Sequence, residues 1–100
     1  MQERRTAARV RIDLNARWEG LISQGRGAIC DLSAQGCFVL TGGEVTVGEL
    51  IRLEIILPSQ LAFVWGHVVY AVAEMGFALR FAFSSEDEMS VLASLIGSAP

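Results

Sequence analysis

Two short stretches of this chain place side chains able to do chemistry at a defined spacing. One is Arg4-Arg5-Thr6-Ala7-Ala8-Arg9 and the other is Asp31-Leu32-Ser33-Ala34-Gln35-Gly36. A guanidinium offers five N–H donors in a planar fork and accepts nothing, which suits it to a phosphate or to the edge of a nucleobase. Asp31 accepts, Ser33 both donates and accepts, and Gly36 leaves the backbone open to close approach. Donors on one stretch and acceptors on the other read as two halves of one site for a small anionic ligand. The same residues also have a purely local reading. Exposed arginines in an arm are solvated, and Asp and Ser bond nearby backbone in a strand-connecting turn, where Gly36 would supply a positive φ.

Charge distribution narrows the ligand class. All eight basic residues are Arg, and the net charge is −3. Arg4, Arg5, Arg9, Arg11 and Arg17 against Glu3 and Asp13 give residues 1–17 a charge of +3, leaving −6 for the remainder. Duplex nucleic acid needs a broad positive face. A basic arm on an acidic body lacks one, so neither DNA nor RNA is the expected partner. A small barrel that binds single strands would interleave aromatic and basic residues on an exposed face, and the acidic body argues against that too.

The elements that must position these residues follow from periodicity. Val10, Ile12, Leu14, Ala16 and Trp18 alternate with polar residues, the period of a strand with one dry face. Residues 1–9 lack such a period and form a flexible, Arg-rich arm leading into it. Ser23-Gln24-Gly25-Arg26-Gly27 is turn chemistry, Ala28–Cys30 a short second strand, and Cys37–Leu40 a third. Leu50–Leu57 alternates as a fourth. Residues 62–72 are apolar on both faces, which predicts a central fifth strand, and Phe77, Leu79, Phe81 and Phe83 alternate as the sixth. Ser85-Glu86-Asp87-Glu88 has capping-box spacing ahead of an apolar stripe of Met89, Leu92, Leu95 and Ile96. A helix over about 85–96, stopped by Gly97, closes the chain. The predicted fold is mainly β: a six-stranded antiparallel β-barrel with a C-terminal α-helix, residues 10–100 forming one domain behind the arm.

Apolar residues make up 52% of the chain before its ten glycines are counted. That is high against about 45–50% with glycine included, and it leaves apolar surface for a partner or a second copy, so a homo-oligomer is within reach. Cys30 and Cys37 are too few for a disulfide scaffold. They read as reduced core thiols, with a disulfide or redox switch as the alternative. The chain opens without an apolar leader, and its longest apolar run falls short of the roughly 20 residues of a spanning helix, so a cytoplasmic protein without membrane insertion is expected.

Enzyme chemistry lacks parts. His67 is the single histidine, set in an apolar run without a nearby nucleophile, and reads as a half-buried structural imidazole. No cluster has metal-ligand spacing, the Glu86–Glu88 acids are accounted for by helix capping, and no phosphate loop of the strand–loop–helix kind is present. No catalytic residue, metal or cofactor is expected. Trp18 and Trp65 read as core or interface aromatics.

Arg5-Thr6-Ala7-Ala8-Arg9 matches R-x-x-x-R, and Asp31–Gly36 matches D-x-S-x-x-G, in the order found in PilZ domains. Trp65-Gly66-His67-Val68-Val69 and Met75-Gly76-Phe77-Ala78-Leu79-Arg80-Phe81 are similar to that family's later strands, so the resemblance covers nearly the whole chain. It implies a bacterial receptor for the second messenger cyclic di-GMP. Arg5 and Arg9 would fork onto guanine O6 and N7 or onto phosphate, Asp31 would accept from guanine N–H groups, Ser33 would bond a base or phosphate, and Gly36 would admit the ligand. An arginine at the place of Arg4 implies a stacked, intercalated ligand dimer. Binding would order the arm against the barrel and alter the surface seen by a downstream effector protein. The alternative is a PilZ-like interaction module that binds no nucleotide.

Overall fold

The alternation over Val10–Glu19 folds as β1, the first strand of a closed barrel, in a computed structural model that describes residues 9–82 and 86–98. Five strands follow: β2 (Gln24–Leu32), β3 (Gly36–Leu40), β4 (Leu50–Ile56), β5 (Leu61–Val72) and β6 (Gly76–Phe81). A single helix, α1 (Glu86–Ser98), ends the described chain. The barrel order is β1-β2-β3-β6-β5-β4, every pair antiparallel, and β1 closes it by pairing with β4 from Ala16↔Ile55 to Glu19↔Arg52. Closure pairs each described strand with a neighbour on both sides, the β1–β4 seam through the last four residues of β1. The arm's Arg4 and Arg5, and the Ser85 of the capping box, lie outside the described residues.

Side chains on one phase of each strand fill the interior. Ile29, Leu32, Val39, Ile51, Leu53, Ile55, Val64 and Phe77 are fully buried, and Trp18 stands edge-on to Phe77 with ring centroids 5.3 Å apart. Trp18 also donates from Nε1 to Thr41 Oγ1 at 3.5 Å, so its one polar atom is not stranded in the core. Trp18 is therefore a core aromatic. Trp65 instead lies on the outer face, where it is 36% exposed.

Four expectations need correction. Ser23–Gly27 is not the turn: the chain reverses at Gly20–Ser23, where Gly20 N donates to Ser23 O at 2.7 Å, and β2 runs nine residues from Gln24. Polar residues join it because β1 offers a long ladder partner. Gly25 fits there because a side chain would strike the Trp18 ring, which lies 2.7 Å from where its Cβ would be. The fifth strand is flanked on both sides, as are all strands of a closed barrel, yet its outer face is open, with Leu61, Phe63, Val69 and Tyr70 each more than 40% exposed. That phase of β5 also exposes His67, which is no half-buried imidazole. Finally, α1 runs through Gly97 rather than stopping at it. A glycine costs a helix about 1 kcal/mol relative to alanine, which this turn tolerates. Leu92 is buried against the barrel, with Leu95 and Ile96 packed beside it.

Candidate ligand site at the β2–β3 turn

The two ladders around β2 decide which way Asp31 points. In β2–β3 the register slips between Ile29 and Asp31, where Cys30 is the extra residue of a β-bulge, and in β1–β2 it slips between Arg11 and Leu14, where β1 carries the extra residue. Ile29 and Leu32 are both fully buried although they are three residues apart. Strict alternation from Ile29 would have turned Asp31 into the core. The bulge resets the phase and brings Asp31 out to the barrel surface, a re-aiming that bulges supply next to functional sites.

Once outward, Asp31 lies across from Arg11 on β1 and from Phe38 on β3. Its carboxylate is met by Arg9 in a fork: Nε donates to Oδ1 at 3.3 Å, and NH2 reaches Oδ2 at 3.2 Å. The two side chains are 59% and 36% exposed, so the pair contributes about 0–1 kcal/mol to folding. Arg9 and Asp31, from the two motifs, are thus brought together.

Ser33 is spent locally. Its Oγ accepts from Gln35 N at 3.1 Å and from Gly36 N at 3.3 Å, while its own N–H donates to Gly36 O at 2.9 Å. The serine therefore builds the turn and presents little free hydrogen-bonding capacity. Gly36 also differs from expectation, since its φ is not positive. A Cβ there would sit 2.2 Å from Leu79 O of β6. Glycine is required because β3 and β6 approach closely, with Gly36 opposite Arg80. Phe81 N donates to Gln35 O at 2.8 Å and ties the end of β6 to the turn.

The tertiary structure adds residues that the motifs do not name. Arg11 and Arg80 are both exposed at this end of the barrel, and Phe38 and Tyr70 approach to 6.1 Å between ring centroids. Ala78, opposite both in the ladders, is small enough to let the rings meet above it. Alternation marked Arg11 and Arg80 as outward-facing, but their nearness to the turn is a property of the ladders. Beside the turn, Cys30 and Cys37 are free thiols. Burial above all, then the charge of Asp31 and the neighbouring Cys30, pushes the Cys37 thiol far above its ordinary range, so it stays protonated as a core residue. Among the described residues no group of three or more His, Cys, Asp and Glu could hold a metal ion.

The family model of the PilZ domain matches residues 3–98. The chain belongs to the PilZ family. Solved PilZ structures share the fold at low identity. The Escherichia coli YcgR PilZ domain with c-di-GMP has a TM-score of 0.78 at 17% identity, over 97% of this chain and 92% of that one. The PilZ domain of CeSA from a cellulose-synthesizing bacterium gives 0.74 at 12% identity, over 90% and 95%. The Bacillus subtilis inhibitor of motility, MotI, gives 0.76 at 20% identity over 94% of this PilZ domain, which spans 49% of the longer protein. No curated protein matches by sequence. No helix among the described residues is long and apolar enough to cross a membrane.

Proposed function

We propose that this PilZ domain is a receptor for cyclic di-GMP, which it holds between residues 1–9 and the β2–β3 turn. The observation that carries the reading is the forked contact of Arg9 on Asp31. It brings a residue of R-x-x-x-R onto a residue of D-x-S-x-x-G, and both present the groups that guanine would engage. Guanine offers O6 and N7 to an arginine fork and N–H groups to a carboxylate. The two side chains occupy each other's binding valences, so the ligand enters by exchanging one ion pair for two contacts. Related support comes from the YcgR domain, a PilZ domain whose structure was determined with c-di-GMP.

In this proposal Arg4, Arg5 and Arg9 supply the arm side of the site, and Asp31, Ser33 and Gly36 are the barrel wall, with Ser33 and Gly36 acting mainly by shaping the turn. Arg4 supports a stacked pair of ligands per chain. Ordering the arm costs conformational entropy, so affinity falls below what the contacts alone would give. Output passes to a protein effector in the cytoplasm rather than through catalysis. The open β5 face, with Phe63 and Trp65, favours a protein contact as well, which keeps the nucleotide-free interaction module as the second reading. Calorimetric titration with cyclic di-GMP separates the two. Saturable binding at two ligands per chain is expected. One ligand per chain would remove only the stacked pair, and absence of heat would leave the interaction module.

A further inference from the structure

The strands beside the turn carry a cation that neither motif contains. Arg80 on β6 is the ladder partner of Gly36 on one side and of His67 on the other. It is exposed. Among the described residues its side chain has neither an ion pair nor a hydrogen bond. Its neighbours explain why: Gly36 has no side chain, His67 carries no negative charge, and Ala78, two residues back on the same face, is apolar. Arg11 and Arg26 share that unpaired state among the described residues, whereas the two remaining strand arginines differ. Arg17 holds Glu54 at 2.6 Å, and Arg52 holds Glu19 at 3.0 Å.

We infer that Arg80 is a third, fixed element of the ligand site, taking a phosphate oxygen of the bound nucleotide over the bare backbone of Gly36. The inference rests on the cyclic di-GMP reading and extends it from the two motifs onto β6. A phosphate diester is the chemistry that suits the place. Asp31 repels phosphate and takes base N–H groups, while Arg80 lies beyond the turn, out of the Asp31 row, with no carboxylate at its register. Arg80 also differs in kind from the arm arginines. Its backbone is held in ladders on both sides, so binding freezes only a side chain. The unpaired guanidinium of Arg80 suits an anion, and Gly36, with no side chain, leaves it accessible.

The test is calorimetry with cyclic di-GMP on the full chain, comparing wild type, Arg80→Ala, Arg80→Lys and Arg26→Ala. Arg26 is the control, because it is likewise exposed and without a side-chain partner among the described residues, but lies on β2 opposite Arg17. Arg80→Ala is expected to weaken binding about tenfold or more, as loss of a charge-assisted contact does. Arg80→Lys should recover part of that loss, Arg26→Ala should stay within about twofold of wild type, and all four should melt alike. Binding of Arg80→Ala equal to wild type, or a loss matched by Arg26→Ala, would overturn the assignment while the receptor reading stands. Failure of the wild type itself to bind would end both.

Discussion

Two arginine-bearing regions of this barrel are built from the same residue type and end in opposite states. On the β1–β2–β4 flank, a shallow groove of about 410 Å³ is lined by Arg17, Arg26 and Arg52 together with Glu19 and Glu54. Two of its three arginines are matched there, Arg17 by Glu54 and Arg52 by Glu19, and the Arg52 guanidinium also lies 5.2 Å from the centroid of the Phe63 ring. At the turn end, Asp31 is held by Arg9 and lies opposite Arg11 in the ladder, while Arg80, opposite Gly36, has no side-chain partner among the described residues. The flank groove is therefore the less suited to an anion. In the proposed reading, the ligand site is marked by unmatched charge at a rigid turn, whereas concavity filled with its own counter-ions is structure.

The comparison can be broken most directly at the arm. Arg5→Ala with Arg9→Ala should cost about 2 kcal/mol or more in cyclic di-GMP binding, as loss of charge-assisted, bidentate contacts would. The melting temperature should hold, because the Arg9–Asp31 pair is exposed. Equal calorimetric affinity of wild type and double variant would remove the arginines from the site.

A somewhat smaller effect is expected at Gly36, and it falls on the fold. Gly36→Ala puts a methyl group against Leu79 O, which should destabilise the protein by about 1–3 kcal/mol. A domain of this size should then melt some 4–8 °C lower per kcal/mol without any ligand present. An unchanged melt together with lost binding would show instead that the glycine serves the ligand rather than the β3–β6 approach.

The smallest effect belongs to the flank. A double-mutant cycle on Arg17→Ala and Glu54→Ala should give a coupling below about 1 kcal/mol in chemical denaturation. Neither variant should change cyclic di-GMP affinity. A large loss of binding from Arg17→Ala would put the flank in the ligand's path and undo the contrast.

Much of this protein was legible in its sequence because the deciding signals were local. The clean alternation of Val10 to Trp18 gave a strand with one dry face, and the same rule placed Ile51, Leu53 and Ile55 inside. The spacing of Asp31, Ser33 and Gly36 announced a turn, and Ser33 does close it. The boundaries of β2 and α1 were missed where local preference yielded to a partner: Gln24–Gly27 joined a ladder that β1 had already laid down, and α1 continued past its glycine.

What the tertiary structure alone decided concerns neighbours distant in sequence. The bulge at Cys30 exists only relative to β3, so the outward aim of Asp31 could not be read from the alternation within β2. The need for glycine at position 36 comes from a carbonyl on β6, and the nearness of Arg80 comes from the β3–β6 ladder, which joins strands separated by two others in the chain. Where no bulge intervenes, periodicity fixes the face a residue occupies, since it depends only on the strand's own pleat. Which residues share that face is set by register between strands, and that is settled only when the barrel closes.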